Sequence, residues 1–303
     1  MISVAKYQSN IDVSAISAVD VHVHIEMDDQ GHKPMPEVFY EASAKYFKSE
    51  DRTPSIDKIA ETYRDLGMAA VVFTLDARTQ FDGHLPNSID DVVAGALRNN
   101  DVLLPFGSVD PRTGEAAIEE AKRQAHELGV RGFKFHPSVQ GFDPSDRQFY
   151  PLWEALEEIG LPILSHTGQN GMGAGLPGGA GIKLGYSNPL LLDEVAADFP
   201  HLPIIMAHPS VPWQDEANSI ATHKANVYID LSGWSPKYFP ESLVRQSNNV
   251  LKHKVLFGTD YPLIPPTKWL AAFEDLPIKD EVRPLILKDN AVKLLGLDQE
   301  ASA

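Results

Sequence analysis

The sequence predicts an α/β protein folded as a (β/α)8 TIM barrel with extra C-terminal helices. Two observations predict it: eight short apolar runs recur between residues 18 and 257, and segments of helical period with helix-start chemistry separate them. Strands apolar on both faces belong in a parallel sheet covered by helices, and eight of them suit a closed ring better than an open doubly wound sheet. No Pro/Ser-rich linker divides the chain and no further repeat appears, so residues 1–303 read as a single barrel domain.

The expected strands are 18–24, 69–75, 102–109, 132–135, 162–166, 204–207, 227–230 and 255–257. Thr53-Pro54-Ser55 introduces a helix over 56–66, Asn87-Ser88 one over 89–98, and Thr113 one over 115–128. Further helices are expected over 147–159, 189–199, 213–225 and 240–248, with closing helices near 267–273, 279–288 and 290–295. Gly129 and Gly160 stand just past the last apolar positions of their helices, as C-terminal caps do. Residues 25–52 form the longest early insertion, a candidate lid or partner-binding segment, and disorder is expected only around 300–303.

Composition narrows the chemistry. The 26 Lys and Arg against 42 Asp and Glu give a formal net charge of −16, a field that repels phosphate backbones, so no nucleic-acid partner is expected. Hydrophobic residues make up 43% of the chain, enough for a sizeable core. The chain has no cysteine, so disulfides, thiolate metal sites and a Cys nucleophile are excluded, and any metal must sit on His, Asp or Glu. The N-terminal segment lacks the basic-then-apolar pattern of a signal peptide and no long uncharged apolar run occurs, so no membrane partner and a cytoplasmic location are expected. No Ser or Thr stands in a G-x-S-x-G elbow, which argues against an α/β-hydrolase mechanism.

Chemistry-bearing residues gather at predicted C-terminal strand ends, the face where barrel enzymes build their sites. His22 and His24 close the first strand and share a face by its two-residue period. His166 ends the fifth strand, His208 follows the sixth, and Asp260 follows the eighth, where it could also be a turn residue in Gly258-Thr259-Asp260-Tyr261-Pro262. Four imidazoles and a carboxylate at one barrel mouth suit one divalent ion, Zn²⁺ or Mn²⁺, with an open position for water.

This pattern resembles the amidohydrolase superfamily, in particular the amidohydrolase-related branch that contains aminocarboxymuconate-semialdehyde decarboxylase, and the resemblance covers nearly the whole chain. It implies that His22, His24, His166 and Asp260 ligate the metal and that His208 acts beside it as acid/base, with Asp260 also moving a proton. It further implies a small-molecule substrate and a homodimer. The branch contains both hydrolases and nonoxidative decarboxylases. The leading expectation is a metal-dependent hydrolase whose activated water, its pKa lowered from 15.7 to about 7, attacks a carbonyl carbon of a small organic acid, aryl ketone or acyl derivative. The alternative is a nonoxidative decarboxylase of an aromatic or unsaturated acid. More distant are a dinuclear oxygenase-like enzyme and a noncatalytic barrel subunit.

Several residues keep more than one reading. Lys134 in Gly132-Phe133-Lys134-Phe135-His136-Pro137 is a structural ion-pair partner of an acid such as Asp230, a contact for a substrate carboxylate, or a carbamylated bridge to a second metal. His136 is a pocket contact or a loop residue. Trp213, Trp234, Tyr261 and Phe142 either wall a substrate or pack among loops. Glu26 continues the His22, His24 alternation and either approaches the site or, beside Asp28 and Asp29, is a solvated loop acid, the favoured reading that leaves it out of the ligand set. Eight glycines between Gly168 and Gly185 make a loop that approaches a ligand closely or moves, without dinucleotide-binding spacing, and Lys183 within it leaves a phosphate-bearing or acyl-CoA substrate open.

Overall fold

The computed structural model describes residues 5–47, 53–82, 84 and 87–300. Eight parallel strands follow one another around a ring: β1 (Ala18–His24), β2 (Met68–Phe73), β3 (Leu103–Pro105), β4 (Phe133–Phe135), β5 (Ile163–His166), β6 (Ile204–Ala207), β7 (Val227–Asp230) and β8 (Val255–Leu256). Regular ladders join β1 to β3 and β4 to β8. Isolated backbone bonds close the two remaining seams. Between β3 and β4, Gly107 N–H donates to Gly132 O at 2.8 Å and Lys134 N–H to Gly107 O at 2.7 Å. Between β8 and β1, Val21 N–H donates to Phe257 O at 3.0 Å and His24 N–H to Tyr261 O at 2.8 Å.

Inside the ring, Val19, Val21, Val71, Phe73, Leu164 and Ile205 belong to one buried apolar cluster. The residues between strands and helices, Phe135, Trp153, Phe257 and Trp269 among them, form the larger outer core. Helices cover that outer layer: α1 (Glu37–Phe47), α2 (Ile56–Asp65), α3 (Ile89–Arg98), α4 (Glu115–Arg123), α5 (Pro137–Gln140), α6 (Tyr150–Ile159), α7 (Leu190–Asp198), α8 (Gln214–His223), α9 (Glu241–Ser247), α10 (Pro266–Glu274), α11 (Asn290–Leu294) and α12 (Leu297–Glu300). Ser55 and Ser88 cap α2 and α3 through their hydroxyls, and Gly160 ends α6 in the left-handed conformation. No helix among the described residues is long and apolar enough to cross a membrane.

The departures from expectation have local causes. The third strand is shorter than 102–109 because Pro105 offers no N–H and the Gln124 side chain takes over the backbone of Ser108, accepting from its N–H at 3.1 Å and donating to its carbonyl at 3.0 Å. Thr113 does not cap α4. Asp110 caps the 3-10 turn Pro111–Thr113, and Gly114 begins the helix. The expected helix 279–288 is a turn followed by a π-helical segment, Leu285–Asp289, since Pro284 lies inside the run. The insertion contributes α1, while its residues 48–52 lie outside the described residues, as do 301–303 of the tail expected to be disordered.

A bulge in β1 decides which side chains enter the barrel. Asp20 pairs with Ala70 but Val23 with Val72, so three β1 residues span two on β2. Asp20 thereby faces outward, away from His22. Its fully buried carboxylate accepts from Tyr63 Oη at 2.5 Å, Thr259 Oγ1 at 2.6 Å, and the backbone N–H groups of His22 and Thr259 at 3.0 Å each. Burial raises its pKa to about 7 in spite of these donors. This knot ties β1, α2 and the end of β8 together. Tyr63→Phe should therefore lower unfolding free energy by about 2 kcal/mol, and Asp20→Ala, which strands two buried N–H groups, by about 3 kcal/mol or more, both read from urea denaturation.

Candidate metal centre

Past the bulge, His22 and His24 both point into the barrel. Their Nε2 atoms lie 3.2 Å apart, and Asp260 Oδ1 approaches them at 3.3 and 2.9 Å. Asp260 comes from the last strand's end, where its N–H donates to His22 O at 3.0 Å and its φ of 67° is a left-handed value unusual for a residue other than glycine. Burial pushes the Asp260 carboxyl up, but His24, His22 and His208 pull it well below the usual carboxylate range.

The outer nitrogen of His22 is held from behind. Nδ1 lies 2.8 Å from Asp230 Oδ2 and 2.9 Å from Ser232 Oγ, both fully buried. Assigning the ring proton to Nδ1, where the carboxylate accepts it, leaves the Nε2 lone pair directed at His24 and Asp260. Gly258 makes room for this arrangement: a side chain there would meet Ser232 Cβ at 3.0 Å, Asp230 Oδ1 at 3.1 Å and His22 Cβ at 3.2 Å.

His208 and His166 form the adjoining wall. His208 Nδ1 lies 2.9 Å from Ser232 Oγ, and its Nε2 lies 2.9 Å from His166 Nδ1. Ser232 thus bridges His22 and His208. His208 adopts φ 74°, and Gly233 leaves space for its ring, since a Cβ there would fall 2.5 Å from Nδ1. Burial lowers the pKa values of His22, His136, His166 and His208, so these imidazoles favour the neutral form that ligates metals or exchanges a proton. His136 stacks on His166 with ring centroids 3.8 Å apart.

The donors fit a divalent cation. Two imidazole nitrogens and a carboxylate oxygen converge within one ion's reach, and His166 Nε2, buried in the adjoining wall, has no hydrogen-bond partner among the described residues. His22, His24 and Asp260 are brought together directly, whereas His166 joins them through His208. His22, His208 and Asp230 form a second close group around the same ring. Lys134 makes no ion pair with Asp230. Its Nζ lies 3.1 Å from His22 Nε2 and 4.8 Å from the Phe73 ring centroid, and burial lowers its pKa to about 8 against the pull of Asp230 and Asp260.

Above the cluster opens a cavity of about 400 Å³, into which His24, Lys134, His136, His166, His208 and Asp260 all face. Its wall is otherwise mainly apolar. Met35, Phe39 and Tyr40 arrive on the early insertion, Met172 on the glycine-rich loop, and Trp234 and Tyr238 after β7. Met35, Phe39, Leu75 and Val139 form a separate apolar cluster against which Phe81, Met172 and Ile182 pack, so the insertion and the glycine-rich loop share one roof.

Some expected contacts fall elsewhere. Trp213 is half-buried at the start of α8 and does not line the cavity, because its N–H is drawn onto Ser210 O at 2.6 Å. Phe142 packs in the core against Phe135, Phe149 and Trp153, Tyr261 does not line the cavity, and Lys183 is exposed over Tyr186. Three residues that sequence reasoning did not assign to the site belong to its surroundings: Asp230, Ser232 and Glu26. Asp230 and Ser232 continue the inward period of β7. Glu26 continues that of β1, and its neighbour Asp28 is buried rather than solvated.

Comparison with known proteins agrees with this fold. The 2-amino-3-carboxymuconate-6-semialdehyde decarboxylase of Dictyostelium discoideum is 23% identical over 295 residues, covering 84% of this chain and 80% of that protein. An uncharacterized TIM-barrel protein from Bordetella bronchiseptica superposes with a TM-score of 0.72 at 24% identity, covering 94% of this chain and 99% of the other. A dihydroxybenzoic acid decarboxylase from Polaromonas sp. JS666, solved with manganese and 2-nitroresorcinol, gives a TM-score of 0.68 at 17% identity and coverages of 93% and 98%. A family model described as Amidohydrolase matches residues 19–297, and the chain belongs to that family.

Proposed function

We propose that this chain is a metal-dependent enzyme that removes a carboxyl group from an aromatic or unsaturated acid without oxidation. The observation that carries the reading is the His22, His24 and Asp260 cluster set beside the buried His166 and His208 pair at the floor of a mainly apolar cavity. Similarity to proteins named as decarboxylases supports this reaction over the carbonyl hydrolysis that the sequence put first.

In this reading His22, His24, His166 and Asp260 hold one Zn²⁺ or Mn²⁺, His166 through its unpartnered Nε2. When bound, such an ion supplies Lewis-acid polarisation of a substrate oxygen. The chain's own groups do the rest. Lys134 and His136 face the cavity as hydrogen-bonding groups that orient the carboxyl end. The bond to the carboxyl carbon breaks, carbon dioxide leaves, and the electron pair left on carbon takes a proton. His208 would deliver it as the imidazolium: the ring, held by Ser232 at Nδ1, takes up a proton from solvent, gives up its contact to His166 and passes the proton to carbon, returning to the neutral form that burial favours. Asp260 assists in proton movement.

Hydrolysis at a carbonyl carbon is the second reading. In either case Lys134 is the only lysine or arginine among the described cavity-lining residues, which suits a substrate with one carboxylate rather than several. Turnover in D₂O separates the two. A decarboxylase releases carbon dioxide and places deuterium on carbon, whereas a hydrolase yields two fragments and no carbon dioxide.

The residue roles are tested apart from the reaction. His166→Ala should lose most of the metal, counted per chain by elemental analysis, together with activity. His208→Ala should keep the metal and lose about 100-fold or more in turnover. Full turnover in the His208 variant would overturn its assignment to proton transfer.

A further inference from the structure

We propose that Glu26 determines specificity in the same cavity, accepting a hydrogen bond from a substrate hydroxyl or amino group. The proposal deepens the functional reading above by naming a feature of the substrate, and it rests on a carboxylate that the chemistry above does not use.

Glu26 stands two residues beyond His24 and lines the cavity, its side chain 16% exposed. One oxygen, Oε2, accepts from Tyr40 Oη at 2.9 Å. The other, Oε1, lies 3.6 Å from His24 Nδ1, beyond hydrogen-bond range, and has no donor among the described residues. The carboxylate is therefore held by α1 on one side, while Oε1, 3.6 Å from His24 Nδ1, keeps room on the other for a hydrogen bond from the cavity.

Its backbone setting is rigid. The Ile25 carbonyl accepts from Asn87 Nδ2 at 2.8 Å, and buried Asp28 accepts from the N–H groups of Gln30, His32 and Ser88. These bonds hold the backbone on either side of Glu26, and the Tyr40 hydroxyl holds its side chain. Met35, Phe39, Leu75 and Leu263 line the same cavity, and none of these four carries a side-chain donor. A ligand that covers Oε1 without supplying a donor would strip its water and leave it unpaired, and a ligand that places its own carboxylate there would meet like charge. Sites built in this way reject an analogue lacking the matching donor far more strongly than an apolar pocket rejects an extra methyl group. The substrate's anionic end therefore belongs with Lys134 and its donor group with Glu26.

The test is equilibrium dialysis of three chromophoric probes that carry no carboxylate: 4-nitrobenzyl alcohol, its methyl ether, and 4-nitrobenzylamine. The purified, metal-loaded protein is compared with Glu26→Leu and Tyr40→Phe. Because these probes cannot be decarboxylated, the outcome does not depend on the reaction proposed above. The intact protein should bind the alcohol, the amine or both about tenfold or more tighter than the ether. Glu26→Leu, which removes the acceptor, should erase that preference, and Tyr40→Phe, which loosens α1 but keeps the carboxylate, should retain it. Equal binding of all three probes by the intact protein, a preference that survives in Glu26→Leu, or one lost in Tyr40→Phe would overturn the proposal. If the alcohol alone is preferred the donor is a hydroxyl, and if the amine alone is preferred it is an amino group.

Discussion

The site depends on the seam where the last strand meets the first. Hydrogen bonds from Val21 to Phe257, from His24 to Tyr261 and from Asp260 to His22 join parts of the chain more than 230 residues apart. Those bonds close the ring of strands and also fix the spacing between Asp260 and the two β1 histidines. Asp20 reinforces the seam from outside, since its carboxylate binds the backbone N–H groups of both His22 and Thr259. The cluster of His22, His24 and Asp260 is thus assembled by barrel closure itself, and a chain with the same residues but an open sheet would not bring them together.

The bulge in β1 serves the same end. Strict alternation would send Asp20, His22 and His24 to one face and crowd an extra carboxylate into the cluster. The additional residue turns Asp20 outward to Tyr63 and α2 while His22 and His24 stay inward. The left-handed φ values at His208 and Asp260 extend this pattern: the backbone departs from ordinary strand geometry where a side chain must be aimed at the centre.

Much of this is legible in the sequence. Eight apolar runs separated by amphipathic segments gave the barrel, because two-sided burial leaves a plain mark on composition. The histidines at strand ends were legible for the same reason, each standing immediately after a run whose position was already known. Asp230 and Ser232 were harder to assign, since a polar residue after a short strand looks the same whether it supports an imidazole or caps a turn. Glu26 was misread through its acidic neighbours: local charge density suggests solvent, but Asp28 is buried by long-range bonds to Ser88 that no local pattern reveals. Trp213 and Phe142 failed as cavity residues because loop conformation, which carries no periodic signal, decides where an aromatic ring comes to rest.

The bridge made by Ser232 has a consequence for tautomers. A serine hydroxyl carries one hydrogen, and His208 in its neutral form carries one as well, so the run Ser232, His208, His166 has two polarities. If the hydroxyl points toward His208, the hydrogens line up outward and His166 ends with an N–H on Nε2, closed to a cation. If the order reverses, that nitrogen bears a bare electron pair. Occupancy at one end of the row and hydroxyl orientation at the other are therefore two readings of a single binary state.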